Sequence, residues 1–197
     1  MPPIVVSDFR RPEHPVDPLF VHRWSPRAMS GDPIAEHQLL TLLEAARWAP
    51  SSYNEQPWRF CYGKRGTPNF DLFMSFLMEA NQVWCKGAAV LLVLMSKKTF
   101  SRNGKPNSVH TFDAGAAWEN LALQASAMGL VAHGMAGFDP SKACSALGVP
   151  DDFELHAMIA VGKPGRIDDL PSELREMEKP SPRHPIAQWA FEGKFRG

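Results

Sequence analysis

A chain of 197 residues, 44% of them hydrophobic and 21% charged, has globular composition and the length for one substantial core, which argues against disorder. Lys+Arg and Asp+Glu both number 21, for a formal net charge of +0, so no basic excess makes nucleic acid the main partner. Three widely spaced cysteines, Cys61, Cys85 and Cys144, form no C-x-x-C pair and argue against a disulfide framework or a structural zinc site.

The N-terminus, "MPPIVVSDFRRPEHP", has acids, prolines and only a short apolar run, unlike a signal peptide. The longest apolar run, Gly87 to Met95, is too short to span a bilayer. The expectation is a soluble, cytoplasmic protein, with no membrane or nucleic-acid role and with a small molecule or another protein as partner.

Residues 1–18 carry Pro2, Pro3, Pro12, Pro15 and Pro18, which block helix and ladder hydrogen bonds, so a flexible arm is expected there. Residues 19–197 are expected to form a single domain. Helical spacing of Ile34, Leu39, Leu42, Leu43, Ala46 and Trp48 predicts a helix, started by Asp32-Pro33 and ended by Pro50. Trp58 to Gly63 reads as a short strand, and Ala88 to Met95 as a strand buried on both faces. One or two short helices are predicted between them.

Ser96 to Thr111 is polar, with Asn103-Gly104 and Pro106, and is predicted to be a long mobile loop. Phe112 to Leu130 is an alanine-rich helix that Gly129 stops. A strand near Val131 to His133, a turn "HGMAGFD", a helix "PSKACSALG" and a strand "FELHAMIAVG" follow. This order predicts an α+β fold with a mixed sheet. The C-terminal part is polar and proline-rich but ends in Trp189, Phe191 and Phe195. It either wraps a partner subunit or folds onto its own chain.

Nucleotide-binding loops, nucleophile elbows and zinc-protease motifs are missing from the sequence. His110 and Asp113 share a helix turn but lack a third ligand, so no metal site is expected. In "HRWSPRAMS", Arg23 and Arg27 bracket Ser25-Pro26, a pattern suited to a phosphate or a polar ring edge, although two solvated arginines would look the same. Arg183 could join them. In "WAPSSYNEQPWRF", Ser51, Ser52 and Asn54 are either ordinary turn residues or a polar shelf for a planar ligand, with Trp48 and Trp58 anchoring it from the core. Gly134 and Gly137 could bring backbone N–H groups close to a ligand.

Taken together and in order, "RWSPRAM", "ARWAPSSYNEQPWRF", "NQVW", the alanine-rich helix, "GMAGFD", "AVGKPG" and "RHPIAQWAFEGKF" resemble the FMN-dependent nitroreductase family, from about Leu19 to Phe195. The resemblance implies a three-layer α+β homodimer. Its central sheet would be mixed but mainly antiparallel, and an extension of about residues 180–197 would be exchanged between subunits. FMN would lie at the dimer interface. Arg23, Trp24, Ser25 and Arg27 match the first flavin-binding motif, and Arg183 the late basic residue at the phosphate. Pro50, Ser51, Ser52 and Asn54 match the motif supplied by the other subunit, Asn81 meets the pyrimidine edge, and Met135, Ala136 and Gly137 place N–H groups at the flavin N5.

The sequence departs from some relatives in having Ala136 where they carry glutamate and Trp84 where others place lysine, which leaves Arg27 to balance the charge of the reduced ring. The implied activity is ping-pong reduction of nitroaromatics, quinones or similar small acceptors by NADH or NADPH, with the flavin and not a catalytic side chain doing the hydride chemistry. Alternatives are an FMN-dependent dehalogenase or desaturating oxidase on the same fold, or a non-enzymatic flavin-binding protein.

Overall fold

The computed structural model describes residues 4–196; Pro2, Pro3 and Gly197, which end the expected arm and extension, lie outside them. Four strands form one sheet in the order β1-β2-β4-β3: β1 is Trp58–Lys64, β2 Val90–Lys97, β3 Val131–Met135 and β4 Phe153–Gly162. Each of the three strand pairs is antiparallel, so among the described residues the sheet is wholly antiparallel where a mixed, mainly antiparallel one was expected. The apolar runs misled here: β2 and β4 lie at the centre of the sheet with both faces covered, and such strands lose polar alternation whatever their direction.

The two faces separate by residue parity, as the pleat requires. Val90, Leu92 and Leu94 face one layer, with Ile159 and Val161 of β4, Leu39, Leu42 and Ala46 of α2 (Glu36–Arg47), and Ala117 and Leu121 of α5 (His110–Ala127). Leu91, Val93 and Met95 face the other, against Phe70 and Phe73 of α3 (Pro68–Met74), Trp84 and Cys85 of α4 (Glu79–Cys85), and Ala143 of α6 (Pro140–Leu147). Helix, sheet and helix thus make three layers. Two short helices complete the set, α1 (Pro18–His22) and α7 (Ser172–Arg175).

Several ends differ from the sequence reading for local reasons. Helix α2 begins after Ala35, where the Gln38 side chain accepts from Ala35 N at 2.9 Å, and not at Asp32-Pro33; Asp32 accepts from Ser30 Oγ instead. His133, Gly134 and Met135 belong to β3 because they pair with Ala160, Ile159 and Met158, so the turn begins only at Ala136. The stretch after β2 is a tight reversal: Thr99 bridges Pro106, and Phe100 N donates to Lys105 O at 2.8 Å. Trp58 is buried, but Trp48 is 72% exposed beyond α2, its Nε1 donating to Glu44; only one of the two indoles anchors anything from the core.

Candidate functional site

The segment from Arg23 to Ser30 is stitched to the rest of the fold along its backbone. Ser30 N donates to Lys163 O, Gly165 N to Ala28 O, and Met29 bridges Pro164. The approach is so close that a Cβ on Gly165 would lie 2.5 Å from the Met29 carbonyl carbon, which demands glycine there. Glu178 supplies the second stitch. Its side chain is 1% exposed, and Oε1 accepts from Arg27 N at 2.7 Å and Ala28 N at 2.8 Å. A buried carboxylate holding two backbone N–H groups ties the C-terminal segment to the arginine-bearing strand, and so places Lys179, Ser181 and Arg183 beside Arg23.

The result is a cavity of about 320 Å³. Of the predicted residues, Arg23, Trp24, Ser25, Arg27 and Arg183 line it, joined by Arg10, His133 and Lys179. Five cations converge, and no carboxylate is present among the described residues of the lining. Arg10 donates through Nη1 to the carbonyls of Val21 and Arg23 and through Nε to Ser181 O, which fixes its guanidinium at the wall. Burial, then the charges of Arg183 and Arg23, push this guanidinium below its ordinary value. Arg23 Nε is buried and sits 3.3 Å from Glu119 Oε1 without hydrogen-bond geometry; its Nη1 makes a long contact to Ser25 Oγ, 3.5 Å. Arg27 Nη1 is 3.9 Å from Glu178 Oε2.

Such a cluster is unfavourable by itself and becomes favourable when a multiply charged anion enters. A larger cavity of about 650 Å³ lies on the α5 side of Trp24. Its cations are accompanied by Glu178 and Asp168 and much of its wall is apolar, so the anion chemistry belongs to the smaller one.

Strand β3 links this cavity to the second predicted group. His133 Nδ1 donates to Pro26 O at 3.0 Å and its ring packs on Trp84, centroids 4.7 Å apart. A carbonyl only accepts, so Nδ1 carries the proton of the neutral ring. Burial holds His133 below its ordinary value against the opposing pull of the Pro26 bond, and Arg27 pushes it the same way as burial. Two residues on, Met135 is buried with its sulfur 3.5 Å from Cys85 Sγ. The ladder ends there, and the N–H groups of Ala136 and Gly137 have no acceptor among the described residues. Asn81 Nδ2 donates to Gly137 O at 2.9 Å while its Oδ1 accepts from Trp84 Nε1 at 3.3 Å. An added Cβ at Gly137 would lie 2.5 Å from Asn81 Nδ2, so this glycine makes room for the asparagine.

The third group stays apart. Pro50, Ser51, Ser52 and Asn54 line neither cavity. Ser52 N donates to the buried Asp113 at the start of α5, 3.2 Å, and Gln56 N to Ser51 Oγ, 3.0 Å. Glu119, which meets Arg23, lies six residues further along the same helix, roughly 9 Å along its axis. Tyr53, Asn54 and Gln56 all have positive φ, 52°, 55° and 51°, and three non-glycine residues in that region mark a strained, over-determined turn. Asp113 is thus a structural clamp, and among the described residues no group of three or more His, Cys, Asp or Glu is placed to hold a metal.

Sequence reasoning missed Arg10, dismissed with its flexible arm, and Glu178, whose buried role has no local signature. Lys179 was missed as well, for the same want of a local signature.

The model of the nitroreductase family matches residues 21–66 and 64–163. A Mycolicibacterium smegmatis protein, the uncharacterized 15.4 kDa protein in the ask 5' region, is 31% identical over 146 residues, covering 70% of this chain and 97% of that protein. A Thermus thermophilus protein named NADH dehydrogenase is 27% identical, covering 80% and 90%. Among solved structures, an oxidoreductase containing FMN superposes with a TM-score of 0.92 at 49% identity over 95% of this chain and 96% of that one. A Desulfovibrio desulfuricans protein in complex with FMN superposes at 0.70 with 27% identity, covering 94% and 100%. With the family model matched over most of its length and the three-layer fold shared, this chain belongs to the nitroreductase family of oxidoreductases.

Proposed function

We propose that the chain is an FMN-dependent oxidoreductase that takes reducing equivalents from NADH or NADPH and passes them, in a ping-pong cycle, to nitroaromatic, quinone or similar small acceptors. The observation that carries this reading is the cavity lined by Arg10, Arg23, Ser25, Arg27, Lys179 and Arg183, with no carboxylate among its described lining residues. A phosphate monoester fits that donor set: forked guanidinium groups and a hydroxyl bind its oxygens, and its double charge relieves the mutual repulsion of the cations.

In this reading Arg23, Ser25 and Arg183, with Arg10 and Lys179, hold the FMN phosphate, and Trp24 closes the wall. Arg27 stays near the ring and balances negative charge there, a task that Trp84 does not share, being buried on His133. Asn81 is oriented by Gly137 and Trp84 toward the ring edge, and the N–H groups at Ala136 and Gly137 supply donors beyond the buried Met135. FMN, when bound, supplies the hydride chemistry; the chain binds, orients and polarises.

Pro50, Ser51, Ser52 and Asn54 serve the flavin of a second subunit. Supporting this, they lie away from their own chain's cavity, and the surface around them is apolar and exposed: Trp48 72%, Tyr53 74% and Phe112 77%. The C-terminal extension, which leaves Trp189 and Phe195 exposed, wraps that subunit. No helix among the described residues is long and apolar enough to cross a membrane.

The test is spectroscopic. Purified protein, as isolated or after addition of FMN, is expected to show bound-flavin absorbance that NADH or NADPH bleaches anaerobically and a nitroarene restores. Protein that FMN cannot reconstitute would overturn the reading; protein that binds FMN but is not bleached would reduce it to flavin binding.

A further inference from the structure

The tight loop after β2 is not independent of the shelf. Ser101 N donates to Glu55 Oε1 at 2.8 Å, the Phe100 ring stands edge-on to Tyr53 with centroids 5.8 Å apart, and the Arg102 guanidinium lies 4.0 Å over the Tyr53 ring and 5.2 Å from the Phe100 centroid. The loop itself is well braced. Asn107 is buried and its N–H donates to Lys98 O, Gly104 N donates to Phe100 O, and Gly104 takes the φ of 69° that this reversal needs.

Two features of the stack point outward from this chain. Tyr53 is 74% exposed yet held at positive φ, a conformation that a bulky residue keeps only when its surroundings impose it. Arg102 makes no hydrogen bond or ion pair with any described residue: the nearby Glu55 accepts from Ser101 N through Oε1, and feels the charges of Lys97 and Arg102 only at a distance. Stacking holds one face of a guanidinium and leaves its forked edge of N–H donors open, an arrangement suited to a carboxylate or phosphate.

We propose that Arg102, set on Tyr53 and Phe100, is a specificity-determining residue that receives an anionic group of the substrate, phosphate or carboxylate, at the mouth of the flavin site. This rests on the proposal that the shelf reaches the flavin of the partner subunit, because Tyr53 adjoins Asn54 and carries Arg102 to the same place. The anion has two possible sources, the phosphates of the nicotinamide donor and the carboxylate of an aromatic acceptor. Neutral acceptors gain nothing from Arg102.

The experiment compares the FMN-loaded wild type with Arg102→Gln and Arg102→Lys, all exposed-site changes. Kd values for NADP+ and NAD+ are measured by calorimetry, and KM values for NADPH, NADH, 4-nitrobenzoate and nitrobenzene by steady-state kinetics. Arg102→Gln is expected to weaken at least one anionic substrate relative to nitrobenzene by on the order of tenfold, the equivalent of one lost charge-assisted hydrogen bond, with Arg102→Lys falling between. A shift confined to NADP+ and NADPH identifies a 2′-phosphate, an equal shift for both nicotinamides the pyrophosphate, and a shift confined to 4-nitrobenzoate the acceptor carboxylate. Unchanged ratios, or the same loss with nitrobenzene, would overturn the proposal. Failure of the flavin reading would be visible earlier and separately, as absence of bound FMN in the unmutated protein.

Discussion

Arg23 does three things at one position. Its carbonyl accepts from Arg10, its Nε faces Glu119, and its Nη1 reaches toward Ser25. The first contact is structural and survives truncation of the side chain; the others orient the guanidinium into the cationic cavity. Arg23→Ala is therefore expected to leave the fold intact and weaken FMN binding by about 1 to 3 kcal/mol, the range for a hydrogen bond to a charged group, measured by quenching of flavin fluorescence. Glu178 is the opposite case. It does not contact the proposed phosphate site through its own donors, having none, yet it holds the backbone of Arg27 and Ala28 and thereby the position of the whole motif.

At the scale of elements, α5 organises the site from both ends of its first three turns. Asp113 takes the Ser52 N–H and Glu119 meets Arg23. Asp113→Ala leaves a part-buried N–H without its acceptor and is expected to cost about 1 to 3 kcal/mol, read as a lowered urea midpoint, together with weakened FMN binding through a loosened shelf. The same helix is clasped to the sheet by Ser96, whose Oγ lies 2.8 Å from His110 Nδ1 and 2.6 Å from His156 Nε2. His156 can reach because β4 carries a bulge: Leu94 pairs with Ala157 and Met95 with Leu155, leaving His156 extra.

Burial lowers the pKa of His156 below the ordinary 6.5, opposed by Glu154 and aided by His110, and His133 is lowered likewise. The unfolded chain therefore binds more protons just below pH 6.5, and stability should fall as pH drops from about 6.5 through the lower folded values. Denaturation midpoints between pH 7.5 and 5 are expected to show this, with a smaller slope in His156→Gln.

For the whole molecule, the described chain leaves Phe112, Trp48, Tyr53, Trp189 and Phe195 exposed, side chains that the proposed second subunit would cover. Among the described residues, the hydrogen bonds that hold the extension to the rest of the chain are Arg10 to Ser181 O and Ile186 N to Glu13. Removal of residues 184–197 spares Arg183 and is expected to shift sedimentation from dimer toward monomer and to lower FMN content with it. A truncated protein that stays dimeric would count against an embracing tail.

Sequence by itself determined the helices whose apolar spacing is regular and the two central strands, and it singled out the residues around Ser25 and from Ser51 to Asn54 as candidates, because each is written in contiguous residues by periodicity or local chemistry. It left room for a parallel pairing that the described sheet does not contain, because burial on both faces erases the alternation that would distinguish an antiparallel strand, and it placed Trp48 in the core on helical spacing that runs one residue past the helix end. Only the tertiary structure decided that Arg10 and Lys179 join Arg23, that Glu178 is the buried clamp, and that the shelf lies away from its own cavity. Those facts depend on contacts between residues as much as 171 positions apart, such as Arg10 and Ser181, and no local pattern encodes which distant charges a fold will bring together.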